Sequence, residues 1–159
     1  MIRIRFARDE DAAGIIHLIG SVFDEYPGCV LDVDGEMPEL RRVASHFEEH
    51  DGSFWVAEDE HGIVGCIGFT PSSERGGVEL KKLYVRAGAR TQGLGGKLAS
   101  LVEAEAARRG AAFVDLWSDT RFETAHRFYA MRGYVRSERT RELFDKSASV
   151  EYYFRRELG

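Results

Sequence analysis

Cysteine is scarce in this 159-residue chain: Cys29 and Cys66 stand alone. Their spacing makes neither a metal-ligand set nor a disulfide framework, and it points to a reducing compartment. No apolar stretch approaches the roughly 20 residues that a membrane-spanning helix needs. The N-terminal Met1-Ile2-Arg3-Ile4-Arg5-Phe6 lacks the apolar region of a signal peptide. Positive charge is in deficit: 22 Lys and Arg against 27 Asp and Glu leave a net charge of −5. That balance argues against nucleic acid as the main partner. Repeats, linkers and low-complexity segments are missing too. These absences leave a soluble, cytoplasmic chain whose length fits a single domain over residues 1–159. At this size roughly 68–70% of the unfolded surface is buried, enough for a core without staples.

Glycine, by contrast, is placed with purpose. Residues 78–85 form an apolar, strand-like run. Then comes Arg90-Thr91-Gln92-Gly93-Leu94-Gly95-Gly96-Lys97, after which Leu94, Leu98, Leu101 and Val102 recur at helical spacing. A strand therefore feeds a glycine-rich loop that opens a helix. The first-turn N–H groups of a helix have no internal partner, and the helix dipole adds partial positive charge, so such a terminus attracts phosphate. Glycine lets the phosphate approach the backbone closely, and Arg90 and Lys97 add cationic charge. The dinucleotide fingerprint fails because Leu98 stands where Gly or Ala is needed. The nucleotide-triphosphate loop fails twice, at Thr91 and Leu98.

The pattern that fits is R-x-x-G-x-G, as Arg90, Gly93 and Gly95, preceded by Leu80, Leu83, Tyr84 and Val85. A second pattern lies downstream. Ala125-His126-Arg127-Phe128-Tyr129-Ala130-Met131-Arg132-Gly133-Tyr134 is similar to A-x-x-[LF]-Y-x-x-x-G-[FY]. With both motifs at this separation, the chain resembles the GNAT superfamily of N-acetyltransferases over nearly its whole length. The resemblance implies an α/β (α+β) domain: a mixed, mostly antiparallel sheet of six to seven strands, flanked by four helices, with splayed central strands. It also implies acetyl-CoA as co-substrate, with its pyrophosphate on Arg90, Thr91, Gln92, Gly93, Leu94, Gly95 and Gly96. Pantetheine would pair with the strand end at Leu83, Tyr84 and Val85, where a backbone N–H polarises the thioester carbonyl.

The order of elements agrees. Residues 2–6 alternate as a half-buried strand. Asp9 reads as an N-cap for a helix with apolar Ile15, Ile16, Leu18, Ile19, Val22 and Phe23. The turn-rich stretch 24–38 holds Asp24, Glu25, Asp32, Asp34 and Glu36. It reads either as a solvated surface or as an attractor for a cationic amine, and it lacks the ligand positions of a calcium loop. A helix over 38–50 and strands over 53–58 and 63–69 follow, then the strand over 78–85. In that strand Val78 and Leu80 share one parity, and Leu83 and Val85 share the other. Either one extra residue makes a β-bulge, or the strand is buried on both faces. The remaining elements are the motif helix to Arg109, a strand over 112–117 and a helix opened by the T-x-x-E box Thr120–Glu123. Strands over 134–141 and 149–156 close the chain.

Acetyl transfer to an amine needs a neutral nucleophile, a stabilised oxyanion and a leaving thiolate that takes up a proton. The resemblance places Tyr129 near the coenzyme A sulfur as the acid, and makes Glu79 the first candidate for base. Asp115 and Asp119 are alternatives, as is no base at all. Phe122 replaces an asparagine that relatives use on the cofactor, with Ser118 or Thr120 as substitutes. Arg127 is a candidate for the coenzyme A phosphates, and Tyr152, Tyr153 and Phe154 for a wall of the acceptor pocket. The leading reading is an acetyl-CoA-dependent N-acetyltransferase acting on a small-molecule or protein amine, without metal, nucleic acid or membrane. Its rivals are a non-catalytic acyl-CoA-binding sensor or subunit and a nucleotide-binding protein. The sequence leaves a homodimer as open as a monomer.

Overall fold

A computed structural model describes residues 1–159. Seven strands form one sheet: β1 Arg3–Phe6, β2 Ser53–Asp59, β3 Gly62–Pro71, β4 Gly77–Val85, β5 Phe113–Asp119, β6 Val135–Glu142 and β7 Val150–Glu157. Their order is β1-β2-β3-β4-β5-β7-β6. Every neighbouring pair is antiparallel except β4 and β5, which run parallel. The α-helices are α1 Ala12–Phe23, α2 Val33–Glu36, α3 Val43–Glu49, α4 Leu94–Arg108 and α5 Glu123–Met131. The one addition to the four expected helices is α2, a single turn. The expected helix over 38–50 is a 3-10 segment, Pro38–Arg42, followed by α3.

Two apolar layers cover the sheet. On one face Leu94, Leu98 and Val102 of α4 and Tyr129 of α5 pack on Ile67, Phe69, Leu80, Val114 and Leu116. On the other, Ile15, Leu18 and Ile19 of α1 and Val43 and Phe47 of α3 pack on Phe54, Val56 and Cys66. The alternation of inward and outward residues along the strands decides which residue serves which layer.

Two expected caps are not formed. Asp9 does not cap α1; its carboxylate accepts the Ser45 N–H at 2.9 Å and the Ser45 hydroxyl, tying the first turn to α3. The residue that closes the turn before α1 is Asp11, which accepts the Arg8 N–H at 2.7 Å. Thr120 does not cap α5 either. Its N–H is committed to the Val150 carbonyl at 2.9 Å, continuing the β5–β7 ladder, and α5 begins at Glu123.

The parity break in β4 is a bulge. Cys66 pairs with Tyr84 and Gly68 with Lys81, so Lys82 and Leu83 together oppose Ile67. Lys82 takes φ of 55°, a left-handed conformation that a side chain rarely adopts. The second consequence lies across the strand. Pairing of β4 with β5 covers only Gly77, Val78 and Glu79 against Phe113, Val114 and Asp115. Beyond that point the strands part, as splayed central strands require.

Candidate active site

The gap between the parted strands is a cavity of about 420 Å³. It passes through the sheet. Gly93, Gly95 and Gly96 edge it on the α4 side, Phe128 and Tyr129 of α5 form one wall, and Val22 of α1 with Tyr26 just after it forms another. Of the residues expected to hold the cofactor, Leu83, Tyr84, Val85, Arg90, Gly93, Gly95 and Gly96 line it. Thr91, Gln92 and Leu94 do not, and Leu94 is a core residue.

Gly93 immediately precedes α4 and holds φ of 71°. That left-handed turn swings the chain from a 3-10 segment, Ala87–Gln92, into the helix. The first bond of α4 runs from the Lys97 N–H to the Gly93 carbonyl at 3.2 Å. The amides of Leu94, Gly95 and Gly96 thus have no partner within the helix. A Cβ at Gly93 would meet nothing within 4 Å, and one at Gly95 would come no nearer than 3.5 Å to Phe128. The space over these amides is open.

Arg90 has a different occupation. Its Nε donates to the Val85 carbonyl at 2.9 Å, and both terminal nitrogens donate to Glu25 at 2.7 Å. Its guanidinium fixes the loop between β4 and the end of α1. The acidic stretch after α1 is also largely satisfied from within. Asp32 pairs with Lys146 at 3.0 Å, Asp34 with Arg41 at 3.2 Å, and Glu36 accepts the Lys146 N–H at 2.8 Å.

Tyr129 is 5% exposed, and its hydroxyl has no hydrogen-bond partner in the protein. Burial alone pushes its pKa upward, so the hydroxyl keeps its proton. Ser118, the suggested substitute for the missing asparagine, lines the cavity; Thr120 does not. Phe122 packs on Tyr26 at 4.7 Å between ring centroids and on Phe23 at 6.3 Å, and so closes the cavity with an apolar wall. Arg127 lies outside the lining and donates to the Thr124 hydroxyl at 3.3 Å.

Glu79 lies outside this cavity. It lines a second hollow of about 330 Å³ with His46, His50, Thr70, Ser72 and Lys81. It makes no hydrogen bond, and burial raises its pKa, with the negative charge of Asp115 acting in the same direction. Asp119 lines the main cavity but is held by Arg121 at 2.8 Å. The expected aromatic wall on β7 is not there. Tyr153 turns to Asp115, Phe154 enters the core, and Glu151 is the β7 residue that meets the cavity. Composition gave no reason to single out Val22, Tyr26, Trp117 or Glu151. Their part depends on strands that separate after three pairs.

A profile of the family described as "Acetyltransferase (GNAT) domain" matches residues 50–136, more than half of the chain. The chain belongs to the GNAT acetyltransferase family. A Bacillus subtilis (strain 168) relative named "Uncharacterized N-acetyltransferase YhfO" is 27% identical over 139 residues, covering 84% of this chain and 89% of the relative. "Probable N-acetyltransferase 14" of Xenopus tropicalis is 28% identical over 98 residues, 61% of this chain. The chain spans about half of that relative, 48% of its length. Among solved structures, a GNAT-family acetyltransferase from Staphylococcus aureus Mu50 shares the fold at a TM-score of 0.85 and 23% identity, covering 100% of both chains. PaiA N-acetyltransferase from Thermoplasma acidophilum, solved in complex with coenzyme A, shares it at 0.74 and 18% identity, covering 99% of each. The cavity lies between the start of α4 and Tyr129 of α5, within the matched residues at both ends. No helix is long and apolar enough to cross a membrane, and no group of three or more His, Cys, Asp or Glu side chains could hold a metal ion.

Proposed function

We propose that this chain transfers the acetyl group of acetyl-CoA directly to a primary amine of a small molecule or protein, in the cytoplasm, where its two thiols stay reduced. The observation that carries the proposal is the through-sheet cavity, with open helix amides at one end and a partnerless Tyr129 hydroxyl in its wall. The residues present suit the cofactor. Gly93, Gly95 and Gly96 leave the α4 amides bare for a pyrophosphate, and Ser118 offers a hydroxyl beside the path to Tyr129.

In this mechanism the bulged end of β4, Leu83 to Val85, supplies a backbone N–H to the developing oxyanion. The amine enters from the side of Val22, Tyr26 and Trp117. Glu79, reached through water, takes the proton that frees its lone pair. Tyr129 donates its proton to the departing sulfur and regains one from the attacking nitrogen, which sheds its second proton as the amide forms. A thiol pKa of roughly 8.5 keeps that contribution modest.

The test is a melting experiment with acetyl-CoA, ATP and NAD in parallel, followed by turnover over a panel of amines. Acetyl-CoA at ~100 times its Kd should add about 2.7 kcal/mol, which for a chain of this size is a shift of about 5–10 °C. Stabilisation by acetyl-CoA alone, with turnover of at least one amine, is the expected result. A cooperative melt unmoved by acetyl-CoA would overturn the proposal.

A further inference from the structure

The half of the cavity that lies away from α4 and α5 differs in character from the glycine-edged end. Leu116 belongs to the layer under α4 and α5, so Trp117 and Asp119 of the same strand face the other way. Glu151 on β7 pairs directly with Asp119 and shares that face. Tyr26, Tyr84 and Phe122 pack there on the layer of α1 and α3. All six residues line the cavity, and four of them are aromatic.

Four charged residues line the cavity, two of each sign, and each is paired with a residue outside the lining. Lys82 meets Glu39 at 3.2 Å, Arg90 meets Glu25 at 2.7 Å, Asp119 meets Arg121 at 2.8 Å and Glu151 meets Arg141 at 2.7 Å. The two acidic pairs differ in what they leave over. Both oxygens of Asp119 accept from Arg121. The two bonding nitrogens of Arg141 meet one oxygen of Glu151, Oε1, and Oε2 has no partner in the protein. The Glu151 side chain is only 16% exposed. One open carboxylate oxygen therefore stands in a space walled by rings.

We propose that the acceptor is an arylalkylamine, a primary amine on an aromatic body with no second charge: its ammonium docks on Glu151 Oε2, and its ring lies among Tyr26, Tyr84, Trp117 and Phe122. This rests on the acetyltransferase reading above and deepens it. Aromatic side chains take a further ring in offset or edge-on contact, and their faces also favour an adjacent cation. One open oxygen accommodates one ammonium. The second ammonium of a diamine would enter a space where every other acidic oxygen is already engaged, and would be desolvated without a partner. The carboxylate of a free amino acid would be brought against Glu151, and Lys82, the β4 cation in the lining, is held by Glu39.

The test is steady-state turnover at saturating acetyl-CoA with 2-phenylethylamine, 1,4-diaminobutane, phenylalanine and a lysine-containing peptide, in wild type and Glu151→Gln. Wild-type kcat/KM for 2-phenylethylamine should exceed that for each of the others by about 100-fold, the scale of one charge buried without a partner. Glutamine keeps an acceptor for Arg141 and removes the docking charge. KM for 2-phenylethylamine should then rise about tenfold, as for one lost hydrogen bond to a charged group, with the acetyl-CoA Kd unchanged. A wild type that uses the diamine, the amino acid or the peptide as well as 2-phenylethylamine overturns the inference and leaves the transferase reading standing. An unchanged KM in Glu151→Gln does the same. Should that variant fail to fold, the wild-type preference decides alone. Turnover of none of the four, nor of any other amine, overturns the transferase reading and the inference with it.

Discussion

Arg90 and Glu25 form a two-pronged ion pair, 2.7 Å at both nitrogens, that joins the loop before α4 to the end of α1. Arg90 stands in the R-x-x-G-x-G pattern; nothing in that pattern names the glutamate 65 residues earlier. Both side chains are one-third exposed, 33% each, so solvent limits the pair to about 0.2–1 kcal/mol. Glu25→Gln should lower Tm slightly. The larger effect falls on the cavity, because Arg90 also holds the Val85 carbonyl. The variant's acetyl-CoA Kd, measured by calorimetry, should rise several-fold. An unchanged Kd would mean that the loop keeps its shape without the pair.

Tyr129→Phe removes one oxygen from the cavity wall and no protein hydrogen bond. The fold should be unaffected. kcat should fall by about tenfold, below the usual range for proton transfer because the leaving thiol is a modest base, and acetyl-CoA affinity should hold. Stopped-flow turnover and calorimetry separate the two, and wild-type kcat would dismiss the acid role.

The glycines of the loop should fail in two different ways. Gly93→Ala forces a side chain into φ of 71° and should cost about 1–2 kcal/mol of stability. Gly95→Ala meets only ordinary contact with Phe128, so Tm without ligand should stay put. Its methyl group enters the cavity between the start of α4 and Phe128, and the stabilisation by acetyl-CoA should shrink. Melting curves with and without ligand read both effects.

Acid should weaken the N-terminal edge of the sheet. Hydrogen bonds from Arg5, then Arg3, lower the Glu58 pKa from its ordinary 4.5 to about 2. A depressed carboxylate pKa contributes stability that is complete above the unfolded value and is lost as pH falls through the folded one. The contribution is therefore whole above pH 4.5 and gone near pH 2. Glu58→Gln should be less stable than wild type at pH 7, with the two Tm curves converging as pH approaches 2. Parallel curves would assign the acid sensitivity elsewhere.

Cys66 donates its S–H to the Lys82 carbonyl at 3.3 Å, and burial pushes its pKa up to about 12. A thiol reagent applied to the native protein should therefore label Cys29, which is half-buried, and spare Cys66 until unfolding. Rapid native labelling of both would show that the bulge opens.

Residue parity narrowed β4 to a bulge or a strand buried on both faces, and the register with β3 decides for the bulge. Glycine spacing before an apolar helical stripe likewise located the start of α4. The caps misled because Asp9 and Thr120 have tertiary partners, Ser45 and Val150, that no local pattern contains. The aromatic run of β7 misled for a related reason. Tyr153 looked like a pocket wall, yet its hydroxyl serves a buried carboxylate on β5. Tyr26 and Phe122 entered the site only because the loop after α1 folds over the start of α5.

The three-residue pairing between β4 and β5 has a mechanical meaning. Two blocks, β1 to β4 and β5 to β7, share one continuous sheet only along that short ladder, and otherwise depend on helices and core packing to hold together. The seam is the shortest ladder in the sheet, three pairs against four or more in every other. A ligand lying along it would bridge both blocks and raise the cooperativity of their unfolding. In the ligand-free protein, the amides of Leu80 to Val85 should be among the first strand amides to exchange with solvent.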